Sequence, residues 1–367
     1  MNKKVIWSVV VVLIIILVVS LKSSSVKNQD VIRIGAIISE TGVASAFGEM
    51  SHKGIELAAK EINEKGGING RKVEVVYEDD QTDPKVASGL LQKLTGVDKV
   101  DAIIGSNFDF VTQPLFSLAS TTKVVVVSPS NPRIQGAFDT NKYSFVMMTE
   151  FSSIVRSFEA YLKATGHKQM AIVRFDSSFS ESIKNTLNEM EVGMGNKPII
   201  SETYKQIGNN DFKTVILKLK QAKVDMVFLD MISIDPVTFV TQAKQLGFSP
   251  KIITHVGIQD ALSMKEVDHK IFDGVVSINW NVSPKSFIEK FNSAYNINPD
   301  KSANRAYDSL YILAQAIAEK GSDALVNVLE SKKFTTPNGE FKFNDNHAAA
   351  NTEIRVEVVK DGVLIEL

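Results

Sequence analysis

From Val31 onward the apolar residues of the chain keep changing period. "VIRIGAII" is a short apolar run rich in β-branched residues, bounded by Ser39 and Gly42, and reads as a buried strand. Behind it Ile55, Ala58, Ala59 and Ile62 recur at i, i+3, i+4 and i+7, one face of a helix that stops at Gly66 and Gly67. "RKVEVVYEDD" alternates Val73, Val75 and Tyr77 as a second strand. Asp83 followed by Pro84 then supplies an N-cap and an N1 proline for a helix whose apolar face is Val86, Leu90, Leu94 and Val97. "DAIIGSN" and "KVVVVSPSN" are continuous apolar strands, the pattern of a parallel sheet buried on both faces, and Pro114 between them opens a helix carrying Leu115, Leu118 and Ala119.

After Met148 the cycle restarts with "QMAIVRFD", "PIISETY", "VDMVFLD" and "KIITHV", separated by helices near 179–193, 211–222 and 235–246. Ser178 with Glu181 reads as a capping box, and Asp235 with Pro236 repeats the Asp-Pro start. Ser283 and Pro284 open a further helix, "SANRAYDSLYILAQAIAEKG" is a long one ending at Gly321, and "GEFKFN" with "EIRVEVVKDGVLIEL" gives terminal strands and a hairpin at Asp361 and Gly362. Two wound α/β domains in series follow from this order. With 367 residues the chain exceeds what one hydrophobic core normally fills, which agrees with two.

In open α/β sheets, ligands sit beyond the carboxyl ends of the strands, held by loops and helix starts. That rule selects Ser39 to Gly48, Ser106 to Thr112, Ser128 to Asn131, Phe175 to Ser180, Asp230 to Ile234 and His255 to Gln259, with the site in a cleft if the two domains face each other through these edges. Asp79, Asp80 and Asp83 lead into a helix N-terminus, where negative charge is favourable; they read as capping residues, with a cation site as the sharper alternative.

Charge and composition narrow the function. Lysine plus arginine number 41 against 42 acids, so no global field draws nucleic acid, and the absence of cysteine excludes thiol chemistry, disulfides and thiolate metal sites. The histidines, His52, His167, His255, His269 and His347, show no HxxxH spacing, and there is no G-x-S-x-G, P-loop or G-x-G-x-x-G after the first strand. His255, at the end of an apolar strand, reads as a hydrogen-bonding contact rather than a base. An enzyme is not expected, nor a cofactor or metal. At the N-terminus, Lys3 and Lys4 precede an apolar run over residues 5–21 and then the polar tether "LKSSSVKNQD". This is an export signal; no A-x-A-like cleavage site stands out, which favours an uncleaved membrane anchor over a cleaved signal, with the remainder outside the cytoplasmic membrane.

The stretches "IRIGAIISETGVASAFGEMSHKGIELAAKEINEKGGINGRKVEVVYEDDQTDP", "IIGSNFDFVTQP", "VVSPSNP" and "AYDSLYILAQAI" resemble the leucine/isoleucine/valine-binding family of periplasmic solute-binding proteins, over nearly all of residues 31–367. The resemblance implies a two-lobed type I periplasmic binding protein fold, each lobe a wound, mostly parallel sheet flanked by helices, hinged by three crossovers. Lobe 1 would comprise 31–147 with 277–336 and lobe 2 148–276 with 337–367, after a signal or anchor at 1–30. It implies a small amino-acid-like ligand, permease subunits of an ABC importer as partners, and capture by lobe closure; the alternative is a sensory module signalling to a membrane receptor.

In the family a ligand carboxylate is held by backbone amides and small hydroxyl side chains, in loops that match Asn107 to Phe110, hence Asn107, Phe108 and Asp109, and Ser130 with Asn131. Asp109 stands where the family usually has a ligand-touching serine; an aspartate there repels a carboxylate or receives an ammonium. Phe47 keeps an aromatic position, Phe179 replaces a frequent tyrosine, and Ile232 stands where another aromatic is common. Asp230 ends a second-domain strand, and the acid that pairs with a ligand ammonium aligns near His255 and Val256.

Overall fold

A computed structural model of the protein describes residues 31–131, 141–255, 257–262, 264–279, 283–350 and 354–367. The expected anchor at 5–21, Pro132 and Val256 lie outside these residues. Among the described residues no helix is long and apolar enough to cross a membrane.

Strands β1 (Val31–Ile38), β2 (Lys72–Asp79), β3 (Ala102–Gly105), β4 (Val126–Ser128) and β5 (Ser144–Val146) form a fully parallel sheet in the order β2-β1-β3-β4-β5. Alternation along β1 explains its continuous apolar run. Ile32, Ile34, Ala36 and Ile38 enter one core, built with the helices Ser45–Glu64 and Lys301–Lys320, whereas Ile37 enters the opposite core with Pro84–Gly96 and Asp109–Thr122. The second sheet joins β6 (Met170–Phe175), β7 (Ile200–Tyr204), β8 (Met226–Asp230), β9 (Lys251–Thr254), β10 (Val276–Asn279), β13 (Arg355–Lys360) and β14 (Val363–Glu366) in the order β14-β13-β10-β9-β8-β6-β7. Its last two strands are antiparallel and turn through Asp361 and Gly362, both at positive φ, as the Asp-Gly signal requires.

The chain passes between the two sheets three times, after β5, after β10 and before β13. β10 spans the expected border at 276/277 and lies wholly in the second sheet. The small hairpin of β11 (Phe334–Thr336) and β12 (Gly339–Phe341) spans the expected border at 336/337, and Phe334, Phe341 and Phe343 pack into the first core.

Local starts differ from the sequence reading in three places. The third long helix begins at Asp109, so Pro114 lies inside it and forgoes one backbone bond. Ser177 is the N-cap of Ser178–Gly193, accepting from Ser180 N–H at 3.1 Å, while Glu181 pairs with Arg174 and Lys184 instead of closing a capping box. Asp235 is the first helical residue, not the cap; its carboxylate accepts from Gly208 N–H at 3.0 Å and Asn210 Nδ2 at 2.9 Å. In Pro84–Gly96 the buried stripe is Ala87, Leu91 and Leu94, spaced i, i+4, i+7, and Val97 falls past the helix end, 74% exposed. Asp83 does cap that helix, accepting from Lys85 and Val86 N–H.

Helices Ser45–Glu64 and Lys301–Lys320 meet at Gly54, where a Cβ would stand 2.2 Å from Ala303 O. Gly54→Ala is therefore expected to cost about 1–3 kcal/mol of unfolding free energy. Gly89→Ala is the control, since open space surrounds that helical glycine and replacing it should be neutral or stabilising by up to about 1 kcal/mol. Urea denaturation of both variants checks the pair.

Candidate functional site

The carboxyl ends of the first sheet's strands are held together by one buried acid. Asp80, with no solvent exposure, accepts from Ser39 Oγ at 2.6 Å, from Ser106 Oγ and from Thr82 N–H at 2.8 Å. Burial pushes its carboxyl above the ordinary range, against the opposing effect of those hydrogen bonds. Asp79 accepts from Thr41 N–H at 3.1 Å, Gln81 N–H at 2.9 Å and Thr41 Oγ1 at 2.6 Å, so these acids organise the loops themselves.

From Ser106 the scaffold extends to Asn107. Its Oδ1 accepts from Ser39 N–H at 3.3 Å, and its Nδ2 donates to Ser51 Oγ at 2.8 Å and, at 3.4 Å, to Ser130 Oγ. Asn131 Nδ2 likewise donates to Thr112 Oγ1 at 2.9 Å and Ser128 Oγ at 3.0 Å. The Nδ2 donors of both side chains are thus spent on bracing the loops.

All ten residues singled out in the sequence, Phe47, Asn107, Phe108, Asp109, Ser130, Asn131, Phe179, Asp230, Ile232 and His255, line a single cavity between the two sheets. Its enclosed space is about 110 Å3, small beside the usual size of small-molecule sites. Its lining also includes Phe110, Phe175, Ser177, Ser180, Tyr204, Ile207 and Ser302. Phe175 and Tyr204 end strands β6 and β7, so the strand-end rule reaches them. Ser302 comes from the start of the long helix Lys301–Lys320, and only the Asp300 cap beside it hints at that placement.

Aromatic rings dress both walls. Phe47 meets Phe108 edge to face at 5.6 Å, Phe108 lies 5.8 Å from Phe110, Phe175 is 5.7 Å from Tyr204, and Phe179 packs on Phe151 at 5.3 Å. The charged groups among the described lining residues are acids and one histidine, with no lysine or arginine. Asp230 is 5% exposed and its Oδ1 lies 2.6 Å from His255 Nε2, while its Oδ2 is buried with no hydrogen-bond partner.

Asp109 Oδ2 is likewise buried and unpartnered. Burial pushes this carboxyl up to about 6, and the charge of Asp230 adds to the rise, although the backbone N–H groups of Phe110 and Phe179 favour the ionised form. Those N–H groups belong to the starts of two helices, one from each sheet, and Asp109 stands between them.

A family model described as periplasmic binding protein matches residues 31–362. The leucine-, isoleucine-, valine-, threonine-, and alanine-binding protein of Pseudomonas aeruginosa is 23% identical over 353 residues, 92% of each chain. Among solved structures, the branched-chain amino acid transporter substrate binding protein LivJ from Streptococcus pneumoniae, in complex with isoleucine, superposes with a TM-score of 0.76 at 23% identity, covering 91% of this chain and 97% of that one. A solute binding protein of an ABC transporter from R. palustris, in complex with benzoate, gives a TM-score of 0.76 at 18% identity, over 92% of this chain and 95% of that one. At these identities the superpositions show a shared fold.

Asp109 makes stability depend on pH with a definite sign. Its folded carboxyl binds a proton more tightly than an ordinary aspartate, so its contribution is fully present below about pH 4 and is lost as the pH rises through about 6. Asp109→Asn removes that loss. Relative to wild type, the variant is expected to gain about 2 kcal/mol between pH 4.5 and pH 7.5, read from urea denaturation at the two values without ligand.

Proposed function

The chain belongs to the periplasmic binding protein family, and from that premise we propose that it is the extracytoplasmic solute-binding component of an ABC importer. It captures a small amino-acid-like solute in the cleft between the two sheets. The observation that carries the reading is the single cavity lined from both sides, by Phe47, Phe108, Asp109 and Ser130 on one and Phe179, Asp230, Ile232 and His255 on the other. A ligand there touches both lobes at once, so its binding energy favours the closed arrangement over any open one.

The lobes of this reading are the first sheet with the helices between Lys285 and Ser331, and the second sheet with its C-terminal strands. A chain that crosses between them three times supplies the hinge. The relatives named above are binding proteins for amino acids, or transporter components, which supports capture and delivery over chemistry. The periplasmic binding protein family implies a location outside the cytoplasm; a tether through residues 5–21 would keep the protein beside its permease partner.

The test is a thermal-shift screen of the full chain over amino acids, amines, amides, sugars and carboxylates, followed by small-angle scattering with any hit. A solute at about 100 times its Kd adds about 2.7 kcal/mol to the folded state and raises the melting temperature by a few degrees. The radius of gyration is expected to fall on binding. A library that leaves the melting temperature unmoved would sink the reading.

A further inference from the structure

We propose that the solute taken by this cleft is an organic cation, an ammonium on an aromatic or branched apolar body with no carboxylate of its own. The inference rests on the solute-binding reading above and narrows its solute to one that keeps the ammonium of an amino acid and lacks the carboxylate. It starts from Asp109 and Asp230, the two acids among the described lining residues, each of which keeps a buried carboxylate oxygen, Oδ2, without a hydrogen-bond partner. Asp230 is 5% exposed and one of its oxygens already faces His255, so its second oxygen is held in place and lacks a donor. A buried charged acceptor left without a donor is costly, and an ammonium brings donors and the opposite charge together.

The remainder of the lining argues the same way. Among the described lining residues no lysine or arginine stands ready to neutralise a second anion, and His255 is turned by Nε2 toward Asp230. Backbone N–H groups at helix starts hold anions without a basic residue. Here the starts of Asp109–Thr122 and Ser178–Gly193 already act on the carboxylate of Asp109, so a ligand carboxylate would meet a like charge at the same place. The amides of Asn107 and Asn131 are committed to Ser51, Ser130, Thr112 and Ser128. Around the acids stand Phe47, Phe108, Phe175, Phe179 and Tyr204, aromatic rings that bury an apolar body and whose faces attract a cation.

Two matched sets of probes share a carbon skeleton and differ in charge: phenethylammonium, phenylalanine and 3-phenylpropanoate, and 3-methylbutylammonium, leucine and 4-methylpentanoate. Isothermal titration of the full chain is expected to show at least one ammonium probe binding ten or more times more tightly than its amino acid, with the carboxylates silent at millimolar concentration. Asp109→Asn should weaken that probe tenfold or more and narrow its lead over the carboxylate. If the variant does not fold, the wild-type order of the three probes decides alone.

An amino acid or carboxylate binding as tightly as the amine overturns the cation assignment and leaves the solute-binding reading standing. The same holds if all six probes are silent while a neutral solute from the wider screen binds. Silence of the probes and of the whole screen overturns both.

Discussion

Asp80 leaves the end of β2 with no exposure to solvent and gathers the hydroxyls of Ser39 and Ser106 and the N–H of Thr82. Three successive strand ends are thereby fixed at one point. A buried carboxylate is tolerable only while such donors surround it, so the loops and the acid enforce one another. The position of Asn107, and through it those of Ser130 and Asp109, follows from this bracket. The cleft's first wall is set by the scaffold before any ligand arrives.

The second wall carries the complementary charge problem. Asp230, with His255 beside it, faces Asp109 across a space bounded by phenylalanines. Rings and hydroxyls give the cavity its shape, whereas the acids give it a sign. Because Asp109 sits at the start of one helix and near the start of another from the opposite sheet, it also couples the two walls directly. The same fold carries isoleucine in one solved neighbour and benzoate in another, two carboxylates that differ in their bodies and in the ammonium that only isoleucine has.

Much of this was legible in the chain. The change from period two to period 3.6 located the strands and helices, the rule that ligands sit beyond strand ends picked out the loops, and the family resemblance singled out ten of the lining residues within them. Local starts were harder. Pro114 reads as a first helical residue, yet the helix begins at Asp109, because packing of Val111 and Thr112 outweighs the one bond a proline gives up. Ser178 with Glu181 reads as a capping box, yet Ser177 is the cap, its backbone extended and its hydroxyl accepting from Ser180 N–H. Asp235 resembled Asp83, but a neighbouring loop, at Gly208 and Asn210, claimed its carboxylate. Nor does a sequence reveal that the amides of Asn107 and Asn131 are consumed internally, since their partners lie on separate loops. Ser302 was missed because it arrives from a helix 172 positions beyond Ser130, whose hydroxyl it meets.

The order in which the chain visits its two halves has a consequence for synthesis. The first core is incomplete until the helix Lys301–Lys320 packs on Ser45–Glu64, and the second sheet has an open edge at β10 until β13 arrives at Arg355. Each half therefore closes on contacts of very long sequence separation, which slow folding. A nascent chain cannot finish either half before nearly its whole length has been made. Folding of either half therefore trails the synthesis of almost the entire chain.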